Sequence, residues 1–303
     1  MTLRHLKIFL TVYETGSTTA AAQALHIAQP SVSTALRELE DHYGVPVFER
    51  YARRLRVTEA GRQLYPYAKH LTALMEESED MMRSMGTAGT FRVGTSITIG
   101  ACHLPRLLLE FQTLYPHMTV RVTTENTDAV TRRLLDNEID VGLVEGEVRS
   151  PFLVVEPYQV DHLTLVCRPD HPFAKAGRTT PEALIRQPLL LRERGSAVRE
   201  TFETAMAARS LAAEPVWQSV STQAILQAVL AGLGVSVLPR SLVRELTDRG
   251  ALAAVPVEGV DFARRFSIVY HKNKFRSAAF DAFTQLCRRS GTDASWGSPP
   301  PQE

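Results

Sequence analysis

Residues 16–40 read GSTTAAAQALHIAQPSVSTALRELE, and two short helices around a tight turn account for the order of residues in it. Ser17 offers a hydroxyl that can accept from the unpaired amides of a first helical turn, which places a helix over Thr18–Leu25. His26-Ile27-Ala28 breaks that pattern. Pro30 then suits the first turn of a second helix, where its missing N–H costs nothing. Val32, Leu36, Leu39 and Tyr43 recur at intervals of four, three and four and share one inward face. At 100° per residue, Pro30, Thr34 and Arg37 lie opposite, with Ser31 and Ser33 on the flanks. This is a helix-turn-helix arrangement, whose second helix can enter the DNA major groove N-terminus first.

The flanking sequence strengthens that reading. After Gly44-Val45-Pro46-Val47-Phe48 comes ERYARRLRVT, which reads as a short hairpin or wing. Its apolar residues anchor it, and Arg50, Arg53, Arg54 and Arg56 project toward phosphates. Ala21-Ala22, Leu25, Gln29-Pro30-Ser31, Ser33, Leu39-Glu40, Gly44, Phe48, Arg50, Thr58 and Gly61 stand in one order. In that order the chain resembles the LysR-type transcriptional regulators. The DNA-facing set expected here is Ser17, Thr18, Gln29, Pro30, Ser31, Ser33, Thr34 and Arg37, with the four wing arginines.

Composition narrows the class. The 303 residues are 44% hydrophobic and 22% charged, an ordinary globular balance with room for two or three cores. Net charge is only +1, and residues 1–58 hold seven Lys/Arg against five Asp/Glu, so clustering rather than total charge carries the electrostatic argument. Cys102, Cys167 and Cys287 are odd in number, far apart and in no metal-ligand spacing, as expected of reduced thiols in a cytoplasmic protein; a thiol- or peroxide-sensing pair is the minor alternative. No apolar run is long enough for a membrane span, and the N-terminus begins with a helix rather than a secretory signal. No GxSxG, P-loop, HExxH or post-strand GxGxxG pattern occurs, and neighbouring Cys102 and His103 point about 100° apart on a helix. The expectation is a non-enzyme without cofactor or metal.

Beyond the wing, Thr58-Glu59 can cap a long helix running to about Met85, with Gly86 as its stop. Leu64, Ala68, Leu71, Met75, Ser78, Met82 and Met85 alternate four and three apart along it, a heptad seam that asks for a partner helix. From Phe91 the pattern becomes β-α-β-α-β through Val141, and strands and helices continue to alternate after Leu163, so parallel sheets carry helices on their faces. The expected organisation is a winged helix-turn-helix domain over 1–58, a linker helix over 59–86, and a two-lobed α/β effector module. The resemblance implies that the module is periplasmic-binding-protein-like, with lobe I formed by 91–160 and 264–289 and lobe II by 161–263. The tail 290–303 has little to bury and reads as disordered.

Ligands of parallel α/β sheets bind near strand C-termini and helix N-termini, whose free amides favour anions. Thr95, Ser96 and Thr98, Asn126-Thr127, Gly195-Ser196, and Ser221-Thr222 occupy such places; the plainer reading is that each hydroxyl caps a helix. The resemblance implies that Thr95, Ser96, Thr98, Asn126, Thr127, Ser196, Ser221 and Thr222 converge on one inter-lobe cleft that holds a small-molecule effector. Glu125 departs from the family, many of whose members have Gly there, and is expected to fill part of that cleft or to change its preference. Arg192 and Arg194 read first as surface arginines, with a carboxylate partner as the alternative. The implied partners are therefore double-stranded promoter DNA with an imperfect palindrome, a small, anion-leaning effector, and further copies of the chain. The copies would form a homodimer through the linker helix and, by family habit, a homotetramer. The competing class is a small-molecule binding or catalytic α/β protein whose N-terminal helices only mediate assembly.

Overall fold

A computed structural model describes residues 1–51, 54–84 and 89–292. Expectations for Arg53, Met85, Gly86 and the tail beyond Thr292 lie outside them. The chain divides into two compact units, Met1–Gly89 with Leu135–Glu138, and the remainder from Thr90 on.

The first unit begins with α1 (Leu3–Thr15), α2 (Thr18–Ala24) and α3 (Gln29–Tyr43), followed by β1 (Phe48–Tyr51), β2 (Arg54–Val57) and α4 (Glu59–Ser84). Ser17 caps α2 by accepting from the Ala20 amide at 3.3 Å. Val32, Leu36 and Leu39 of α3 are buried with Phe9 and Val12 of α1. The wing is held to α3 by Glu40, whose Oε1 accepts from the Val47 and Phe48 amides at 2.9 and 3.1 Å. Gly61 lets α4 lie against the chain there: a Cβ would stand 2.3 Å from the Val47 carbonyl oxygen. The heptad seam of α4 is divided. Ala68 is fully buried in the domain's own core and Leu64 packs against it, whereas Leu71 and Met75, with Tyr67 beside them, are exposed.

The second unit contains β3 (Thr90–Ser96), α5 (Ile97–Cys102), α6 (Leu104–Leu114), β4 (Thr119–Glu125), α7 (Thr127–Leu135), β5 (Val141–Glu145) and β6 (Leu153–Cys167). Next come α8 (Pro172–Ala176), α9 (Pro181–Leu184), β7 (Leu189–Arg192), α10 (Ala197–Ala207), β8 (Pro215–Ser219), α11 (Thr222–Leu230) and β9 (Ser236–Pro239). The unit ends with α12 (Arg240–Asp248), β10 (Ala253–Val255), β11 (Ala263–His271) and α13 (Ala278–Thr292). The parallel pairs are β3 with β4 and β5, and β7 with β8. β11 runs antiparallel to β5 and β6, and β6 antiparallel to β9 and β10, so the seven-stranded sheet is mixed, while β7 and β8 form a two-stranded sheet of their own.

Strand β6 is the structural link between the two lobes. Its first ten residues pair with β11 and its last five with β9 and β10. The sequence pattern places this strand only over His162–Cys167. In the structure Pro157 sits beside the register shift at Phe266/Ser267, where a residue without an N–H is tolerated. Helix α13 extends past the expected end at Arg288. Ser290 is buried and donates to the Cys287 carbonyl at 2.7 Å, so the chain stays ordered to Thr292. One core fills the first lobe around Phe91, Phe111, Phe266 and Phe283, and two clusters fill the second, one around Leu163, Leu191, Phe202 and Phe262, the other around Val166, Leu190, Ile225 and Val229.

Candidate functional sites: a DNA-reading face and an inter-lobe cleft

On α3, Pro30, Ser31, Thr34 and Arg37 are exposed, as the helical period requires when Val32, Leu36 and Leu39 face inward. Gln29 and Ser33 are half-buried and already engaged: the Gln29 amide donates to Ser33 Oγ at 2.9 Å and Thr18 Oγ1 at 3.3 Å, tying the start of α2 to α3. That tie fixes the angle between the helices. It also makes Thr18, Gln29 and Ser33 less available to a base edge than Ser31, Thr34 and Arg37. In the wing, Arg50 pairs with Leu55, Arg54 with Tyr51, and exposed Arg56 stands opposite Glu49.

In the effector module, Ser96, Asn126, Thr127 and Ser196 line one small, narrow cleft, together with Ile97, Glu145, Arg192 and Ala197. The lobes meet closely here. Gly195 has φ +81°, and a Cβ on it would lie 2.6 Å from Asp128 Oδ2. Asn126 caps α7, accepting from the Ala129 amide at 2.9 Å, and its Nδ2 donates to Glu193 Oε1 across the cleft at 3.3 Å.

The remaining expected residues are spent elsewhere. Thr95 is fully buried and donates to the Ser96 carbonyl at 3.2 Å. Ser221 is exposed and caps α11. Thr222 accepts from Arg192 Nη1 at 2.8 Å. Glu125 turns to Arg133 in a two-pronged pair at 2.7 and 2.9 Å and is absent from the cleft lining, which corrects the expectation that it fills the cleft. The Arg133 hydrogen bond holds its carboxyl below the ordinary value. Arg194 is exposed, but Arg192 is not a surface arginine: its side chain is 2% exposed and grips Glu193 through Nε and Nη2 at 2.8 and 3.0 Å.

Behind the cleft lies a buried ionic network that sequence reading missed. Arg264, 1% exposed, donates to Glu145 Oε2, to Asp161 Oδ2 at 2.8 Å and to Thr98 Oγ1 at 3.0 Å. Glu145 Oε1 accepts in turn from Ser96 Oγ at 2.8 Å and the Thr98 amide at 3.1 Å. Burial raises the Asp161 carboxyl above its ordinary value, against the pull of Arg264. The three charged residues come from β5, β6 and β11, so no local spacing could have announced them. The one available signal is that Glu145 and Arg264 interrupt apolar strand patterns.

Burial also raises the thiols of Cys102, Cys167 and Cys287, that of Cys167 to about 11, which leaves little reactive thiolate near neutrality. Among the described residues, no group of three or more His, Cys, Asp or Glu is placed to hold a metal ion, and no helix is long and apolar enough to cross a membrane.

Residues 3–62 match the family model for the bacterial regulatory helix-turn-helix protein of the lysR family, and residues 84–292 match the LysR substrate binding domain. The chain belongs to the LysR family of transcriptional regulators. This regulator is 34% identical over 287 residues to the HTH-type transcriptional regulator YeiE of Escherichia coli K12, an alignment covering 95% of this chain and 97% of YeiE. It resembles the full-length regulator CbnR solved with its target DNA, with TM-score 0.63 and 26% identity over 95% of this chain and 99% of that one. It also resembles the CcmR regulatory domain of Synechocystis PCC6803 solved in complex with 2-PG, with TM-score 0.62 and 25% identity over 68% of this chain and 99% of that one. Both family modules are therefore present in one chain: this LysR-family regulator joins a DNA-binding helix-turn-helix to an effector-binding α/β module.

Proposed function

We propose that two copies of this regulator pair through α4 and set their winged domains on the half-sites of an imperfect promoter palindrome, and that pairs assemble into tetramers. The exposed Leu71, Met75 and Tyr67 on α4 support the pairing, since a helix leaves such a row uncovered at a cost unless another surface takes it. The observation that carries the DNA reading is the exposed polar face at the start of α3. Arg37 reads a guanine edge, Ser31 and Thr34 meet permissive edges or flanking phosphates, and Pro30 packs beside them. Ser17, Thr18, Gln29 and Ser33 hold that face in place. Arg50, Arg53, Arg54 and Arg56 supply phosphate contacts and hence affinity rather than discrimination.

A small anionic molecule acts as effector in the cleft lined by Ser96, Asn126, Thr127 and Ser196. The positive ends of α7 and α10 and the buried Arg192 favour an anion. Thr95, Thr98, Ser221 and Thr222 act around the cleft by holding its walls rather than by direct contact. The CcmR domain's complex with 2-PG supports an effector in this module by similarity. The effector shifts the lobes only by its differential affinity for two arrangements, and that shift changes the spacing of dimers on DNA. The chain works in the cytoplasm, by binding and not by catalysis.

Binding to a randomised library built on the chain's own upstream DNA tests the reading head. Arg37→Ala should relax base preference at a few positions, by about 1–3 kcal/mol for a lost bidentate pair. Arg54→Ala should weaken every sequence alike. A uniform loss for Arg37→Ala would remove α3 from the reading role.

A further inference from the structure

Arg192 and Glu193 are consecutive, and their pairing is more than charge neutralisation. The guanidinium holds the carboxylate through Nε and Nη2, the side-on fork by which arginine recognises carboxylates, while Nη1 is fixed by Thr222. Arg192 lines the cleft, whereas Glu193 reaches back onto it and takes a bond from Asn126 on the other lobe. Beside them, Ser196 stands at the N-cap of α10 and is 4% exposed, yet its hydroxyl makes no capping bond and no other hydrogen bond among the described residues. It lines the cleft with Ala197. A hydroxyl uncommitted within the chain, lining the cleft at the start of an eleven-residue helix, is available to a ligand there.

We propose that Glu193 is an internal stand-in for the effector's carboxylate, and that the effector enters by exchanging with Glu193 on the Arg192 fork. The inference rests on the reading of this cleft as the effector site and names its ligand class. Once Glu193 leaves, Arg192, Ser196 and the amides at the start of α10 receive the incoming carboxylate. The cross-lobe bond from Asn126 is lost from Glu193, so exchange acts on the contact between lobes. The opposite wall sets the rest of the ligand. Glu145 uses three of its roughly four acceptor positions on Ser96, the Thr98 amide and Arg264, which leaves room for one more donor. A second anionic group would face that carboxylate and be repelled. The ligand is therefore a small hydroxy or amino acid, with one carboxylate at Arg192 and one donor near Glu145. The cleft as it stands is narrow, so the ligand that takes the place of Glu193 has only a few heavy atoms.

Calorimetry and thermal unfolding of the full chain with glycolate, acetate and sulfate at constant ionic strength test this. Glycolate should bind, and acetate, which lacks the donor, should bind roughly tenfold more weakly. Glu193→Gln keeps the shape of the side chain but not its charge, and should tighten glycolate at least about tenfold. Arg192→Met added to Glu193→Gln should abolish binding; unfolding by heat with a single transition checks that this pair still folds. Unchanged or weaker glycolate binding in Glu193→Gln overturns the exchange, and sulfate binding more tightly than glycolate overturns the carboxylate class. If a metabolite hit is lost in Ser96→Ala with Thr127→Val but indifferent to Glu193→Gln, the cleft remains the effector site and the exchange alone falls.

Discussion

The reading face of α3 and the inter-lobe cleft are built from similar residues in opposite states. On α3, among the described residues, no intramolecular hydrogen bond occupies the side chains of Ser31, Thr34 or Arg37. In and around the cleft, Ser96, Thr98, Thr222, Arg192 and Glu145 all hold one another or a neighbour, while among the described residues Ser196 Oγ has no hydrogen bond. Water explains the difference. An exposed hydroxyl is satisfied by solvent until DNA replaces it, so a reading face can leave its polar atoms unspent. A buried polar group without a partner costs about 1–3 kcal/mol, so a cleft must satisfy its groups internally. The first site binds by adding contacts; the second binds by exchanging them.

The largest test of that contrast removes one member from each region. Glu145→Ala strips the buried Arg264 of one of its two carboxylate partners and should destabilise the effector module by about 3–5 kcal/mol, read as a lower urea midpoint at unchanged slope. Arg37→Ala, on the open face, should shift stability by no more than about 0.5 kcal/mol. Equal effects would mean that the cleft network is as dispensable as a surface charge.

Asp140 extends the comparison to pH. Its carboxylate accepts from the Arg92 amide and guanidinium and from Lys274 Nζ, which is 5% exposed. Burial pushes its pKa up, but Arg92 and Lys274 outweigh that and leave it below the ordinary value. The sign follows: a depressed folded pKa stabilises the protein above the unfolded value, near 3.9, and the gain is lost as pH falls through the folded one. Asp140→Asn should therefore cost about 2–4 kcal/mol at pH 7, and the gap to wild type should close as pH falls below about 4. Asp161 runs the other way, because its pKa is raised by burial and its ionisation opposes folding as pH rises past the unfolded value. A gap independent of pH would mean that Asp140 acts through shape and not charge.

The two regions also differed in how legible they were. The reading face could be read from sequence because its logic is local: a cap at Ser17, a proline at Pro30 and a run of apolar positions one helical face apart lie within 25 consecutive residues. The cleft was half legible. Hydroxyls and one side-chain amide at helix starts pointed to Ser96, Asn126, Thr127 and Ser196, but several of the partners that engage this region are far away in the chain. Arg264 meets Glu145 across 119 residues and Asp161 across 103. Such pairings are set by strand register, and the sequence pattern showed only the second half of β6, whose first half carries the register with β11.

Salt dependence tests the wing at intermediate size. If all four arginines of each chain engage in a dimer, eight neutralised phosphates give a log–log slope near −7, from roughly −0.9 per phosphate. Arg56 has Glu49 opposite it in the hairpin, so Glu49→Gln should steepen the slope by up to about two if that acid competes with phosphate. A wild-type slope shallower than about −3 would take the phosphate role from the wing and leave affinity to α3.

The smallest expected effect compares two serines that cap helices in the same module. Ser221 accepts from the Ala224 amide at 3.2 Å at the start of α11, and Ser221→Ala should cost about 1 kcal/mol, the usual loss for such a cap. Ser196 occupies the same position on α10 without making that bond. Its hydroxyl contributes no cap energy to lose, so Ser196→Ala should change unfolding free energy by less than about 0.5 kcal/mol. Thermal unfolding of the two variants side by side measures the difference. If Ser196→Ala costs as much as Ser221→Ala, the Ser196 hydroxyl is already spent as a cap and the cleft holds no idle donor. A small cost at Ser196 with a normal cost at Ser221 leaves a cleft-lining hydroxyl that the fold does not use and that something entering the cleft can take.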